Sequence, residues 1–184
     1  TIIGSVVNNQ EGTINVTIPS NTLAGNAYRI RVVSTNPVVN GADNGANITI
    51  GNPVVVANAS ATSLCAGDSL LLYGTGAQTY SWSHSVTDSV VIFPISAETY
   101  TVIGTDDNNC SNTSAVTVAY HNLPIVSANA SSNSICAGSF LILTGGGASS
   151  YVWSNGVSDG VAFSPMAGNT YTVTGTDNAN CSDT

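Results

Sequence analysis

The chain has 184 residues and few charges, with ten acidic residues against only Arg29 and Arg31, so its formal net charge is -8 at pH 7. Because a negative chain repels phosphate backbones and anionic lipid, this balance argues against nucleic acid and membrane surfaces as partners. No apolar run approaches the roughly 18 residues of a membrane span, so we predict no membrane insertion in this segment.

The first part of the chain, residues 1–51, contains three stretches in which apolar and polar residues alternate: 12–18, 28–32 and 46–50. Such a period of two is typical of half-buried strands. The Pro-, Gly- and Asn-rich stretch 36–45 is predicted to be a loop. We therefore interpret residues 1–51 as three antiparallel strands that complete a β-sandwich whose first half precedes residue 1. The first residues also lack the features of a signal peptide, so we expect the chain to begin within a longer protein.

The rest of the chain is a tandem repeat, because residues 53–113 return as residues 124–184 at a constant offset of 71. Cys65 returns as Cys136, for example, and Trp82 returns as Trp153. We predict one domain over 52–122 and a second over 123–184, which lacks its last strand. A module that ends one strand short leads us to expect that the parent protein continues.

The first repeat is predicted to contain about seven short strands at a spacing of 8 to 12 residues, which is typical of an all-β sandwich. In the first repeat the alternation and the turn residues place strands at 53–58, around 70–72, at 80–82, at 90–92, at 100–102 and at 115–120. The polar residues 106–109 form a predicted tight turn. No segment has a helical period.

The motif Ser-Leu-Cys-Ala-Gly-Asp-Ser-Leu at 63–70 is followed by Tyr-Ser-Trp-Ser at 80–83 and Thr-Tyr-Thr-Val at 99–102, then by Gly-Thr-Asp at 104–106 and Cys110. This pattern resembles the Ig-like or PKD-like repeats of very large cell-surface and secreted proteins of the Bacteroidetes. The resemblance implies tandem Ig-like antiparallel β-sandwich modules, with residues 1–51 as the C-terminal part of such a module. It also implies type IX secretion and display outside the cell, as in gliding-motility adhesins.

The four cysteines form two equivalent pairs, which fits structural disulfides in an oxidising compartment. A bond from Cys65 to Cys110 and another from Cys136 to Cys181 would close equal loops, and we predict this pairing within each repeat. In a standard sandwich, however, Cys65 and Cys110 lie near opposite ends. A bond between neighbouring modules is therefore the alternative.

The aromatic residues of the repeat can be interpreted either as core residues or as platforms that stack against sugars. A tryptophan two residues after a tyrosine, opposite a Tyr-x-Val strand, is typical of the core of an Ig-like sandwich. We therefore predict that Trp82, Trp153, Tyr100 and Tyr171 pin the core. Three further tyrosines, Tyr73, Tyr120 and Tyr151, would be the residues to test for carbohydrate binding.

Two polar motifs have alternative interpretations. Asp106 and the residues up to Asn109 could offer oxygen ligands to calcium, but the copy at 177–180 has lost one carboxylate, so we predict an Asx-stabilised turn and no metal site. The Asp-Ser-apolar motifs at 68–70 and 88–90 resemble the O-glycosylation signal of exported Bacteroidetes proteins. Ser69 and Ser89 are therefore candidates for modification.

Catalytic residues are not predicted. A hydrolytic triad needs a base within reach of a nucleophile, and the two histidines, His84 and His121, fall in a predicted loop and at a module boundary. We therefore expect no enzyme activity and no cofactor. The sequence predicts structural or adhesive stalk modules of a large extracellular fibre. Their partners would be neighbouring modules, surface polysaccharide or other cell-surface proteins. The alternative is an accessory or carbohydrate-binding module of a secreted polysaccharide-degrading enzyme or protease.

Overall fold

The computed structural model describes residues 2–5 and 12–184, and the described residues are almost entirely β strands and connecting turns. The all-β class predicted from the alternation is confirmed. Within the described ranges, the helical segments are two single turns of 3-10 helix, at Ser83–Ser85 and Ser154–Gly156. None of these described residues belongs to a helix with the length and apolarity that crossing a membrane requires.

Before the repeat, the described strands are short. They are β1 (Gly25–Tyr28), β2 (Arg31–Thr35), β3 (Val38–Asp43) and β4 (Ile48–Ile50). β1 pairs with β4 and β2 pairs with β3, both antiparallel. A salt bridge of 3.1 Å between Arg29 and Asp43 accompanies the second pair.

Three predictions for this part are wrong. The predicted strand at 28–32 is interrupted, because β1 ends at Tyr28 and β2 begins at Arg31. Residues 12–18 form no strand, although a backbone hydrogen bond joins Thr17 to Ile3. The predicted loop at 36–45 contains β3, which folds back on β2 through a turn at Asn36 and Pro37. Alternation predicts strands reliably only where one face of the strand is buried. No described residue before Pro53 is fully buried, so the alternation in this part of the chain did not locate the strands. Thr1 and residues 6–11 of the predicted module lie outside the described residues.

The first repeat contains seven strands. They are β5 (Val56–Ala59), β6 (Ser63–Cys65), β7 (Leu70–Thr75), β8 (Thr79–Trp82), β9 (Val91–Ile92), β10 (Glu98–Thr105) and β11 (Ser111–His121). Their order is β5-β7-β9 in one sheet and β6-β11-β10-β8 in the other. Leu70 and Leu72 are fully buried, as their spacing predicted. The short strand β6 was not predicted; it runs parallel to the end of β11 and pairs Leu64 with Tyr120.

The second repeat contains six strands. They are β12 (Ser127–Ala130), β13 (Leu141–Gly146), β14 (Ser150–Trp153), β15 (Ala162–Phe163), β16 (Val173–Thr176) and β17 (Ser182–Asp183). One sheet has the order β12-β13-β15 and the other the order β14-β16-β17. Leu143 of the first sheet forms one buried cluster with Trp153 and Val173 of the second. Two sheets that share one core form a sandwich, so this repeat is a small β-sandwich.

Contacts divide the chain into two compact units. The first consists of the residues up to Ala57 with Gly74–Asp88 and Thr101–Ala115, and the second consists of Asn58–Tyr73, Ser89–Tyr100 and Val116–Thr184. This division cuts through the first repeat and places the whole second repeat in one unit. The domain boundaries at residues 52 and 123 therefore stay predictions.

Candidate functional site at the repeat junction

Each tryptophan of the repeat is held by an aspartate. The indole N–H of Trp82 donates to Oδ1 of Asp88 over 2.8 Å, and the backbone N–H of Gly74 donates to the same oxygen over 2.7 Å. The second repeat reproduces this arrangement with Trp153, Gly145 and Asp159 at the same two distances. Both tryptophans are buried, at 7% and 5% exposure, so neither ring presents a face to a sugar.

Sequence reasoning missed the two aspartates because Asp88 was considered only as part of a glycosylation motif. A signal was present, since Asp88 returns as Asp159 whereas the neighbouring Ser89 becomes Gly160. A carboxylate that satisfies two N–H donors beside the core has a structural role.

A tyrosine closes the turn between β7 and β8. The hydroxyl of Tyr80 donates to the carbonyl oxygen of Ala77 over 2.6 Å and accepts from the backbone N–H of Ala77 over 2.9 Å. Tyr151 makes the same two bonds to Ala148, and its ring lies where a Cβ on Gly145 would have to be. The hydroxyl and the ring of Tyr151 therefore stabilise this turn. Its substitution would disturb the fold, so Tyr151 is not suited to a test of carbohydrate binding.

The other two tyrosines considered for carbohydrate binding differ in exposure: Tyr73 on β7 is 39% exposed and Tyr120 on β11 is half-buried. Tyr100 is buried, while Tyr171 is half-buried and packs edge-on against Phe163 with ring centres 5.2 Å apart. Burial raises the pKa of Tyr100 above its ordinary value, and the Glu98 carboxylate raises it further.

An aspartate organises the turn that precedes each C-terminal cysteine of a repeat. Oδ1 of Asp106 accepts hydrogen bonds from the backbone N–H groups of Asn108 and Cys110, both at 2.9 Å. In the copy, Asp177 accepts from Ala179 and Cys181 at 2.8 and 2.9 Å. These are the bonds of an Asx turn, the interpretation that the sequence favoured over calcium. Among the residues that the structure describes, no group of three or more His, Cys, Asp or Glu could hold a metal ion.

The Asx turn of the second repeat is followed by Cys181, which forms a disulfide with Cys65 of the first repeat. Their Cα atoms are 5.5 Å apart and 116 residues separate them in sequence. Cys181 is completely buried, and Cys65 lies at the end of β6, opposite His121 in the parallel ladder. The backbone N–H of Ala66 also donates to the carbonyl of His121 over 2.8 Å. The bond therefore connects the last residues of the paired strands β6 and β11 in the first repeat to the Asx turn of the second.

The predicted pairing within each repeat is wrong: Cys65 does not bond to Cys110, nor Cys136 to Cys181, and Cys110 and Cys136 are free thiols. The reason is the length of β11. Cys110 immediately precedes this strand, whereas Cys65 pairs with its last residue, His121. Eleven residues of strand span about 36 Å, far beyond the roughly 7 Å limit between bridged Cα atoms. The alternative of a bond between neighbouring repeats is the one observed.

A shallow groove lies beside this junction. It has a volume of about 670 Å³ and is lined by His121, by the turn at Gly147–Ser149, and by Asp177–Ala179. The turns held by Tyr151 and Asp177 thus form its walls.

The remaining predicted residues lie on the surface. Ser69 and Ser89 are both exposed, and their glycosylation stays a prediction. His84 is exposed and has a positive φ of 56°, as has its equivalent Asn155 at 59°. Because His and Asn tolerate this left-handed conformation better than most residues, the exchange at this position is explained by the turn.

Comparison with known proteins gives no relative from which a role could be transferred: no protein-family model matches the chain, and no curated protein matches it.

Proposed function

We propose that this chain consists of non-enzymatic Ig-like β-sandwich modules that form a structural and adhesive stalk in a large extracellular fibre. The observation that carries the proposal is the Cys65–Cys181 disulfide, which joins one repeat to the next. A disulfide persists in oxidising compartments such as the cell exterior. A covalent bond between consecutive modules, in addition to the peptide chain, suits a spacer whose modules must not separate.

The residues that the two repeats share support this role. The tryptophan with its aspartate, the tyrosine with its turn and the aspartate of the Asx turn all bond to the protein itself. By contrast, several exposed residues differ between the copies, such as Ser69 and Phe140 or His84 and Asn155. The repeat thus keeps its architecture and varies its surface, as expected for a spacer.

The adhesive part of the proposal is supported by an apolar position that both repeats expose. Ile95 follows Pro94 and is 86% exposed, and its equivalent Met166 follows Pro165 and is 74% exposed. An exposed apolar residue in each module gives a fibre a row of weak contact points. Weak contacts that repeat along one chain act together through their high effective concentration.

The experiment that tests the stalk is the measurement of contour length and mass of the intact parent protein shed from cells, by negative-stain electron microscopy and denaturing mass analysis. A thin filament of many similar beads is expected. A compact particle, in which a few beads are attached to a large globule, would contradict the stalk and favour an accessory module of a secreted enzyme.

The adhesive surface is tested separately with the double variant Ile95→Ser and Met166→Ser. Adsorption of the protein to a hydrophobic surface should fall several-fold, while the double variant Ser69→Ala and Ser89→Ala, which changes only exposed polar residues, should adsorb like the parent chain. Equal adsorption of all three proteins would remove these two residues from the proposal.

A further inference from the structure

The free cysteines occupy the same repeat positions as the bonded ones. Cys136 is the equivalent of Cys65, and Cys110 is the equivalent of Cys181, each at the offset of 71. The observed bond therefore joins the first cysteine of one repeat to the second cysteine of the next, and leaves one cysteine of each kind free.

Cys110 and Cys181, the second cysteine of each repeat, have matching surroundings. The backbone N–H of Cys110 donates to Asp106 over 2.9 Å, as that of Cys181 does to Asp177. The chain that enters the first repeat passes close to Cys110, because a Cβ on Gly51 would lie 2.7 Å from its sulfur. The thiol of Cys110 thus sits at the entry to its repeat, in the same type of turn that places Cys181 in the bond.

Cys65 and Cys136, the first cysteine of each repeat, differ because only Cys65 lies on a strand. Leu64 and Cys65 lie on β6, paired with the end of β11, and Leu64 is buried. The equivalent residues Ile135 and Cys136 are exposed and lie outside any strand. Their pairing partners would be the equivalents of Ala119–His121, which would follow Thr184 at the offset of 71.

We propose that Cys136 forms a further disulfide of the same kind as Cys65–Cys181, with the cysteine at the Cys181 position of a following repeat. This rests on the proposed function in one respect, that the repeat continues in a longer chain. Cys110 has no such partner in this chain, because residues 1–51 contain no cysteine.

The chemistry is thiol–disulfide exchange with a small-molecule disulfide such as oxidised glutathione. The thiolate of Cys136 attacks one sulfur of this oxidant and releases one glutathione thiolate, which gives a mixed disulfide. The thiolate of the partner cysteine then attacks Cys136 Sγ and releases the second. The protein loses two electrons and two protons, and the oxidant becomes two thiols.

The test is an extended chain in which a copy of residues 114–184 is appended directly after Thr184. Because Thr184 is the equivalent of Thr113, the copy continues the repeat in register. It supplies both the missing closing strand and a copy of Cys181. After oxidative refolding, non-reducing peptide mapping by mass spectrometry should show two bonds: Cys65–Cys181, and Cys136 to the appended copy of Cys181. Cys110 and the appended copy of Cys136 should remain alkylatable.

A shorter extension serves as the matched control. Appending only a copy of residues 114–123 supplies the closing strand without a cysteine, so Cys136 should remain alkylatable and Cys65–Cys181 should be unchanged. In the long extension, Cys136→Ser should leave the appended copy of Cys181 as a free thiol.

Three results would overturn the inference: a free Cys136 in the long extension, a bond from Cys136 to any other cysteine, or absence of the Cys65–Cys181 bond on which the inference is built. The first two results leave the Cys65–Cys181 bond and the contour length of the parent protein unaffected. In those cases the proposed disulfide fails while the stalk stands, whereas a compact parent particle contradicts the stalk alone.

Discussion

The two repeats bury equivalent apolar residues but differ in the state of their cysteines. Leu72, Trp82 and Val102 are buried in the first repeat, and their equivalents Leu143, Trp153 and Val173 are buried in the second. Yet Cys65 is bonded where Cys136 is free, and Cys181 is bonded where Cys110 is free. The burial of these residues follows from the sequence of the repeat and is duplicated with it. The disulfide is a property of two successive repeats, so it depends on the neighbour that each cysteine has.

The largest expected effect tests the shared core. Trp82→Ala and Trp153→Ala should each lower the free energy of unfolding by about 3–5 kcal/mol, because each removes a buried ring and the hydrogen bond to its aspartate. Urea unfolding followed by circular dichroism measures this. The exposed aromatic Phe140 provides the control, and Phe140→Ala should cost less than about 0.5 kcal/mol. A tryptophan variant as mild as this control would show that its repeat has no such core.

Substitution of equivalent cysteines should change the free energy of unfolding by different amounts in the two repeats. Cys65→Ser should lower the free energy of unfolding by about 2–4 kcal/mol, because it releases a loop that joins two repeats. Cys136→Ser, at the equivalent position, should have almost no effect on this chain. Unfolding of both variants under non-reducing conditions measures the difference. Equal losses in the two variants would contradict the observed pairing.

The aspartates provide a smaller and symmetrical test. Asp88→Ala and Asp159→Ala should each cost about 1–3 kcal/mol, since the buried indole N–H and a glycine N–H lose their acceptor. Asp88→Asn and Asp159→Asn keep a side-chain oxygen at the same place and should recover a large part of the loss, as measured by urea unfolding. If the asparagine variants were as unstable as the alanine variants, the negative charge and not the acceptor geometry would be responsible.

The smallest effect is specific to the first repeat and depends on pH. Because the pKa of Tyr100 is raised in the folded chain, its contribution to stability is fully present below its unfolded pKa of about 10 and is lost as the pH rises towards the folded value. The melting temperature of Tyr100→Phe should therefore fall less between pH 9 and 11 than that of the parent chain. Tyr171→Phe, at the equivalent position, should keep the alkaline loss that Tyr100 causes. An unchanged slope in Tyr100→Phe would contradict this assignment.

The sequence predicted the parts of the fold that have a buried face. The alternation around Leu70 and Leu72 located β7 because one face of that strand is fully buried. The same type of alternation at 12–18 predicted a strand that does not form, where no buried face is present. The short strand β6 could not be found by periodicity, because three residues carry too little of a pattern and its partner lies more than fifty residues away.

The disulfide shows why the site was harder to predict than the strands. Equal spacing of Cys65 and Cys110 and of Cys136 and Cys181 suggested two equal loops, but a bond requires proximity of two Cα atoms, and spacing in sequence does not measure it. Knowledge that Cys65 lies beside the last residue of β11 would have excluded the pairing at once. The Asx turn, by contrast, depends only on residues within five positions of one another, and the sequence predicted it.

The position of the disulfide has a mechanical consequence. The chain from Cys65 to Cys181, a sequence separation of 116, could extend to about 400 Å if the strands came apart, whereas the bond spans 5.5 Å between Cα atoms. A pulling force applied at the two ends of the chain passes through the sulfur atoms and bypasses the strands inside the loop. Rupture of the strands inside the loop therefore adds almost no length. The residues before Cys65 can extend under load, but the part of the chain between the two cysteines should lengthen only after a reductant opens the bond.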